Sequence, residues 1–273
     1  MRIAISSDNH LDINKVDITE VLEQQAQYLL TQKIDIYLIA GDLFNDFNKS
    51  LAYVRELQTL VGLAMQVRFI AGNHDMGRGI DFEELESSID PLYLHNKSLD
   101  VPGTDWRIIG NNGWYDYLFA KGVDPAAVAT FRRGLYYDRQ IKQPMTDYER
   151  MDLVLSQTKT LLDKSNQAQK KVLLFTHFAP IDDDILYPVN NPRWLLVNGV
   201  LGSPRLGELI ERYENVHNVY YGHIHISKLP RQHQGVSYYN PSVGYNHRRL
   251  REWTKETFLA TWQDKLAIKV LTK

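Results

Sequence analysis

The chain has 273 residues, a net charge of −2 at neutral pH and no cysteine. Its hydrophobic fraction of 44% and charged fraction of 23% are those of an ordinary globular protein, so we expect an ordered chain. The nearly neutral charge excludes a global basic field that would attract nucleic acid or an anionic membrane. The lack of cysteine excludes disulfides, thiolate metal sites and cysteine nucleophiles, and leaves oxygen and imidazole as ligands.

No part of the sequence has the character of a secretion signal or a membrane span. Residues 1–10 lack the apolar core of a signal peptide, and no stretch approaches about 18 consecutive apolar residues. These absences favour a cytoplasmic protein without a membrane partner. Because we find no linker and no internal repeat, we predict a single domain over residues 1–273.

The first third of the chain has the pattern of a parallel sheet. Apolar runs predict strands, and helical periodicity predicts helices between them, in the order β-α-β-α-β with right-handed crossovers. Because the carboxyl ends of parallel strands meet at one edge, the polar residues that follow these strands are expected to lie together. The predicted strands cover residues 2–7, 34–40 and 66–71, and the predicted helices cover residues 19–32 and 49–62.

The rest of the chain is less regular. Residues 111–145 combine many aromatic side chains with arginines, and we interpret them as a cap or insertion. A capping box at Thr146 and Glu149 predicts a long helix. We also predict a helix near residues 204–213. Further strands are predicted at residues 106–110, 171–176, 216–221, 228–231, 236–239, 258–263 and 266–271, the last four as short antiparallel pairs.

Side chains that can bind metals follow five of the predicted strands. Any one of the histidines is better explained as a structural or surface residue, but jointly that explanation requires five coincidences. In Asp8-x-His10 and His223-x-His225, alternate residues of an extended segment share a face and can point at one centre. The residues concerned are Asp8, His10, Asp42, Asn73, His74, His177, His223 and His225.

The ligand types predict the number and the kind of ions. Two carboxylates, one amide and four imidazoles make about seven ligands, which suits two ions that share a bridge better than one tetrahedral ion. Asp42, nearest the middle of the predicted sheet, is the candidate bridge. Imidazoles favour two divalent transition-metal ions such as Mn, Fe or Zn over Mg or Ca. The net positive charge of such a site would attract a phosphate ester.

These residues resemble the signature of the calcineurin-like metallophosphoesterases, which is D-x-H, G-D, G-N-H-[DE], H and G-H-x-H. The match spans residues 8–225 in the family's order and is highly specific as a set. The resemblance implies a four-layer α/β/β/α sandwich of two packed mixed sheets flanked by helices. The matching text is Asp8-Asn-His10, Gly41-Asp42, Gly72-Asn73-His74-Asp75, His177 and Gly222-His223-Ile-His225.

The resemblance also implies roles for the residues. His74 would be the catalytic histidine near the leaving-group oxygen. The ions would lower the pKa of a shared water, its hydroxide would attack phosphorus in line, and His74 as an imidazolium would donate a proton or stabilise charge. One ion would be held by Asp8, His10, Asp42 and His225, and the other by Asp42, Asn73, His177 and His223.

One position departs from the family pattern. Many relatives carry an acid three residues after the bridging aspartate, where it orients the catalytic histidine. Here that position is Asn45, followed by Asp46, so the partner of His74 is open. Asp75 is expected to be structural because it faces away from His74 in a tight turn. The segment Gly113–Asp116 is also similar to a subgroup of phosphoesterases from Gram-positive bacteria, which fixes no substrate.

Weaker features leave alternatives open. Residues 111–145 could be a lid that stacks a nucleobase while Arg132 or Arg133 holds phosphate, but a packed subdomain with solvated arginines is favoured. The basic run at residues 247–251 could border the site, but a solvated helix face is favoured. Residues 182–184 lack the spacing of a calcium loop and favour a solvated turn. Three histidines match no motif: His95, His217 and His233.

We therefore predict dinuclear metal-dependent hydrolysis of a small phosphodiester or phosphomonoester. One alternative is a nuclease acting on DNA or RNA, which the neutral charge disfavours. The other is a non-catalytic metal-binding scaffold, which the intact ligand set disfavours. The native metal, the physiological substrate and the oligomeric state do not follow from the sequence.

Overall fold

The computed structural model of the protein describes residues 1–226 and 229–272. Its strands are β1 (Arg2–Ser6), β2 (Ile36–Ala40), β3 (Gln66–Ile70), β4 (Lys97–Asp100), β5 (Trp106–Gly110), β6 (Lys171–Phe175), β7 (Val216–Tyr220), β8 (Arg231–His233), β9 (Val236–Tyr239), β10 (Asn246–His247), β11 (Leu250–Arg251) and β12 (Ala267–Val270). Its helices are α1 (Ile18–Thr31), α2 (Phe47–Val61), α3 (Asn73–Met76), α4 (Phe82–Leu85), α5 (Pro125–Gly134), α6 (Asp147–Gln167), α7 (Pro192–Asn198), α8 (Pro204–Ile210) and α9 (Phe258–Lys265). Short 3-10 turns lie at Gly62–Ala64 and Tyr137–Gln140.

The strands form two mixed sheets and a separate hairpin. The first sheet has the order β12-β1-β2-β3, in which the last three strands are parallel and β12 is antiparallel at the edge. The second sheet has the order β4-β5-β6-β7-β9-β8, with antiparallel strands at both edges of a parallel centre. The hairpin pairs β10 with β11. The predicted parallel β-α-β-α-β unit and the two mixed sheets are confirmed.

The two sheets pack face to face through alternate side chains of their strands. Ile3 and Ile5 of β1 lie in the same buried cluster as Leu173 and Phe175 of β6, whereas Ala4 faces the opposite side. Such alternation is expected for strands with different neighbours on each face. Helices α1, α2 and α9 cover the outer face of the first sheet, and α6 and α8 that of the second. This is the four-layer sandwich implied by the resemblance.

The predicted strand over residues 258–263 is wrong, because this segment forms α9. Thr257 caps the helix by accepting a hydrogen bond from the backbone N of Ala260. Phe258 and Trp262, one helical turn apart, are both buried, and the indole N–H of Trp262 donates to the hydroxyl of Tyr37 on β2. The apolar residues therefore follow a helical period that covers the sheet, in place of the alternation of a strand.

Other predicted boundaries hold or shift by a few residues. The capping box of Thr146 and Glu149 opens α6, with reciprocal bonds of 3.2 and 2.8 Å. The strand predicted for residues 228–231 is observed only from Arg231, as β8, and residue 228 lies outside the described residues. Within the described part of the chain, no helix is both long and apolar enough to cross a membrane.

Candidate dinuclear metal site

The predicted metal ligands follow the carboxyl ends of strands from both sheets. The loops after β1 and β2 are joined by hydrogen bonds from Asp8 N to Gly41 O, at 3.0 Å, and from His10 N to Asp42 O, at 2.9 Å. The loops after β6 and β7 are joined by a bond from Gly222 N to the carbonyl of His177, at 2.9 Å. The site is thus built on loops that follow packed strands and are bonded to one another.

Four of the predicted ligands adopt backbone angles that most side chains avoid. The φ angles are 54° at Asp8, 43° at His10, 58° at Asp42 and 65° at His223. Positive φ is uncommon for residues other than glycine, and residues held in such regions cluster at functional sites. The strain aims these side chains inward from the strand ends.

Two glycines of the signature allow the loops to approach each other closely. A Cβ on Gly72 would collide with Oδ1 of Asp42, and a Cβ on Gly222 would collide with Oγ of Ser7 and with Oδ2 of Asp8, which is 2.5 Å away. Only glycine lets the backbone pass this close to the carboxylates. Substitution of either glycine would therefore displace a predicted ligand.

The first ligand cluster surrounds Asp8. Nε2 of His225 lies 3.1 Å from Oδ1 of Asp8, and Nε2 of His10 lies 3.8 Å from that oxygen. The two Nε2 atoms are 3.2 Å apart, and Nε2 of His10 is 3.7 Å from Oδ2 of Asp42. The four residues assigned to one ion by the resemblance are therefore brought together.

The second ligand cluster lies on the other side of Asp42. Nε2 of His177 is 3.4 Å from Oδ2 of Asp42, 3.1 Å from Oδ1 of Asn73 and 3.2 Å from Nδ1 of His223. Oδ2 of Asp42 is therefore within 4 Å of an imidazole nitrogen from each cluster. This is the position that a bridging carboxylate requires.

The outer nitrogens of three histidines are bonded to the protein, which leaves their inner nitrogens facing the clusters. Nδ1 of His177 donates to the carbonyl of Ala40 at 2.9 Å, and Nε2 of His223 donates to that of Val200 at 3.1 Å. Nδ1 of His225 donates to the carboxylate of Glu252 at 2.6 Å. When the ring is neutral, each of these bonds leaves a lone pair on the nitrogen that faces the cluster, as metal-binding histidines require. The donor set therefore fits two divalent ions.

The histidines of the two clusters differ widely in pKa. Burial opposes a charge on His177 and His225, but the carboxylates of Asp42 and Asp8 outweigh it and raise their pKa values to about 9 and about 10 respectively. Burial, together with the nearby charge of His177, lowers the pKa of His223 to about 3.

His74 is held on three sides beside the clusters. Its Nδ1 donates to Oδ1 of Asn45 at 2.6 Å, and its Nε2 is 3.2 Å from the hydroxyl of Tyr245. Its ring stacks on Tyr137, with centroids 4.0 Å apart. The partner left open by the sequence is thus Asn45. Asp46 instead caps α2 by accepting hydrogen bonds from backbone N–H groups of that helix.

Asp75 supports the loop of the candidate bridge, as expected for a structural residue. It accepts hydrogen bonds from the backbone N of Asp42 at 2.6 Å and of Gly72 at 2.8 Å, and from Oγ of Ser50 at 2.5 Å. Two further backbone amides, of residues 43 and 44, also donate to it. Burial and the charge of Asp42 raise the pKa of Asp75 to about 7. Because every partner is a donor, we assign the ionised carboxylate.

Residues 111–145 reach the site through Tyr136, Tyr137 and Asp138. Oδ1 of Asp138 accepts from Nδ2 of Asn73 at 2.7 Å, which turns the amide oxygen of Asn73 toward His177. Tyr137 stacks on His74, and the hydroxyl of Tyr136 is 3.5 Å from Nε2 of His223. The density of aromatic residues was a signal for the tyrosines. No motif signalled Asp138.

The nucleobase-lid hypothesis for the arginines receives no support. Arg132 is buried and donates to the hydroxyl of Tyr115 at 3.1 Å and to the carbonyl of Ile141 at 3.4 Å. Neither Arg132 nor Arg133 lines the cavity next to His74. The favoured alternative was a packed subdomain with solvated arginines. Arg133 is exposed as that alternative predicted, but Arg132 is buried.

Two smaller predictions also need correction. Residues 247–251 form the β10–β11 hairpin in place of a helix face, and Glu252 follows directly. The solvated turn predicted at residues 182–184 is wrong for Asp184, which is buried and bonded to Arg231 at 2.6 Å and to the hydroxyl of Tyr221 at 2.8 Å. The unassigned His95 is buried, and its Nδ1 accepts from the backbone N of residue 112.

Comparisons with known proteins agree with this fold. The model of the calcineurin-like phosphoesterase family matches residues 1–227. The solved structure of TT1561 from Thermus thermophilus covers 88% of this chain and 88% of its own, with 14% identity and a TM-score of 0.51. A dimetal phosphatase from Danio rerio covers 88% and 86%, with 14% identity and a TM-score of 0.49. At 14% identity, the likeness to TT1561 concerns the fold. A search of curated proteins gave no significant match.

The family match extends over most of the chain and contains every residue of the two clusters. Members of this family use pairs of divalent metals, and the clusters around Asp8 and Asp42 are candidate His/Asp metal sites. The chain therefore belongs to the calcineurin-like phosphoesterase family and is a metal-dependent phosphoesterase.

Proposed function

We propose that the protein hydrolyses a small phosphate ester at the two clusters, with Asp8, His10, Asp42 and His225 as ligands of one ion and Asp42, Asn73, His177 and His223 as ligands of the other. The observation that carries this proposal is the position of Oδ2 of Asp42, which is 3.7 Å from Nε2 of His10 and 3.4 Å from Nε2 of His177. One carboxylate oxygen between two groups of inward-facing ligands suits a shared site.

Two divalent ions bound there would lower the pKa of a water molecule and draw negative charge from the phosphoryl oxygens. The protein's own contribution is to orient ligands and exclude water. Asp138 directs Asn73, and Glu252 directs His225, through hydrogen bonds of 2.7 and 2.6 Å respectively. Partners of this kind fix ring and amide orientation and increase metal affinity. The imidazoles support Mn, Fe or Zn as the ions.

His74 is proposed as the catalytic histidine. Its Nδ1 is occupied by Asn45, so Nε2 is the nitrogen that can face a leaving oxygen. Asn45 is neutral, so the imidazolium of His74 depends for its stability on the negative charge of a bound substrate and on Asp42. Proton donation from a positioned side chain contributes about 10²- to 10⁴-fold to the rate.

Hydrolysis by the purified protein loaded with Mn tests this function. We expect turnover of bis-p-nitrophenyl phosphate, p-nitrophenyl phosphate or both. The variant His74→Ala should keep its metals but lose at least about 100-fold in kcat, because it lacks only the proton donor. His95→Ala, which removes a buried histidine outside both clusters, is the matched control for loss of an imidazole. Wild-type protein that binds two ions and hydrolyses neither ester would contradict the proposal.

The two alternatives to hydrolysis of a small phosphate ester, a nuclease and a metal-binding scaffold, stay predictions. A nuclease would cleave single- or double-stranded DNA with a steep dependence on salt, which the net charge of −2 disfavours. A metal-binding scaffold would bind ions without turnover. The cytoplasmic location, the single domain and the Gram-positive subgroup also remain predictions from the sequence.

A further inference from the structure

A cavity of about 500 Å³ adjoins the candidate metal site. Its lining includes Asp42, His74, His223 and His225, so it is continuous with both clusters and with the proposed catalytic histidine. Its volume lies within the range of sites for small ligands, which is about 300 to 1,000 Å³. A phosphate ester whose phosphoryl group reaches the clusters would place an organic substituent in this cavity.

The walls of the cavity away from the clusters are apolar and aromatic. Tyr136 and Tyr137 contribute rings beside the ligands, and Leu186, Trp194 and Leu250 lie farther out in the same lining. These last three side chains are 50%, 38% and 44% exposed. Large apolar side chains that remain exposed around one opening indicate a surface that binds apolar groups. Aromatic rings add a preference for flat partners.

The charges in the wall disfavour an anionic substituent. In the part of the chain that the structure describes, the lining includes no lysine or arginine. It does include Glu252, which is bonded to His225, and Asp184, which is bonded to Arg231. Among the described residues of this wall, a second phosphate or a carboxylate would therefore meet no lysine or arginine, and the two acidic side chains already have cationic or imidazole partners.

We infer that the substrate of this phosphoesterase carries an uncharged aromatic substituent that binds between Tyr136, Tyr137 and Trp194. The inference rests on the proposed function and specifies its substrate class. It separates such esters from sugar phosphates, which are polar, and from esters that carry additional phosphate or carboxylate groups. The same cavity favours an aryl group over a flexible alkyl chain of equal carbon number, because a flat ring loses less conformational freedom on binding.

Binding of phosphonates to the Mn-loaded protein, measured by calorimetry, tests the inference without turnover. Four probes share one head group: methylphosphonate, phenylphosphonate, n-hexylphosphonate and 4-phosphonobenzoate. We expect phenylphosphonate to bind at least about tenfold more tightly than methylphosphonate, from the apolar area of one ring. The hexyl compound should bind less tightly than the phenyl compound. The carboxylate of 4-phosphonobenzoate should remove most of the gain from the ring.

Variants of residues that line the cavity test whether the preference for phenylphosphonate arises there. Trp194→Ala and Leu250→Ala should each bring the affinity for phenylphosphonate toward that for methylphosphonate, and Trp194→Phe should retain most of the difference. Leu63→Ala is the matched control, because Leu63 is a fully exposed leucine in the turn after α2 and does not line the cavity. An unchanged preference in both alanine variants would overturn the assignment of the ring to this wall.

The outcomes separate the inference from the function beneath it. Equal affinities for the methyl and phenyl compounds, or tighter binding of the hexyl compound, would overturn the aromatic substituent and leave a working metal site. Tight binding of 4-phosphonobenzoate would overturn the exclusion of anions. If no phosphonate bound in a metal-dependent way, the failure would lie with the proposed phosphoesterase site.

Discussion

Nδ1 of His74 lies 2.6 Å from Oδ1 of Asn45, at the position where many members of the family carry an acid. The amide oxygen accepts a hydrogen bond from the ring N–H and orients the imidazole, which also stacks on Tyr137. A neutral partner stabilises an imidazolium less than a carboxylate would. Asn45 thus orients the proposed catalytic histidine as an acid would, but it stabilises the imidazolium form of His74 less than an acid would.

The variant Asn45→Asp should extend activity to higher pH. An anion beside His74 favours the charged imidazole and raises its pKa, so the protonated donor persists to higher pH. We expect the basic limb of the pH profile of kcat to move up by about one pH unit. Asn48→Asp is the matched control, because it adds the same charge on α2 but its side chain bonds to Gly79. A basic limb that stays in place would contradict the prediction.

The variant Asp42→Asn should lose the paired ions. The amide supplies no negative charge and only one oxygen, so it bridges two cations poorly. Metal analysis after dialysis should give at most about one ion per chain, against two in the wild type. Asp46→Asn is the control, because Asn also serves as an N-cap and Asp46 contacts no cluster. Retention of two ions by Asp42→Asn would refute its role as the bridge.

The variant Asp138→Ala should weaken binding of the second ion. Asp138 accepts from Nδ2 of Asn73, and without it the amide can rotate away from His177. Loss of such a partner costs about 10- to 100-fold in metal affinity. A Mn titration should show one site weakened and the other unchanged. The control is Asp163→Ala, which removes an exposed carboxylate paired with Lys159. If Asp138→Ala and Asp163→Ala bound Mn with equal affinity, the prediction would be contradicted.

Metal binding at pH 7 should release about two protons per chain from the ligand imidazoles, in addition to the proton of a metal-bound water that ionises. The metal-free His177 and His225 have pKa values raised to about 9 and about 10, so both are protonated at pH 7, whereas a ligand imidazole is neutral. Above about pH 10 both rings are already neutral, and the release should fall by about two. Calorimetric titration in buffers of different ionisation enthalpy measures this. A release that does not decrease as the pH rises from 7 through about 9.5 would show that these rings carry no such protons.

Local patterns predicted the elements whose neighbours are nearby in sequence. The spacing of apolar residues predicted the unit β1-α1-β2-α2-β3, and the capping box predicted helix α6. Helix α9 was missed because residues 258–262 are all apolar or small, and such a run fits a strand as well as a helix. Only the packing of Trp262 against Tyr37 selects the helix. The hairpin β10–β11 has two residues in each strand, too few for any period to be visible.

The sequence by itself determined the family and predicted the ligand set, because the signature of residues 8–225 consists of chemical types that the metals require. Which side chains orient those ligands and His74 was decided by tertiary structure. Asn45, Asp138 and Glu252 contact the site through bonds of 2.6 to 2.7 Å. Two of these bonds join residues 27 and 65 positions apart, and such partners leave no spacing in the sequence. The apolar cavity likewise exists only where separate loops meet, so its preference for a substrate could be inferred only from the fold.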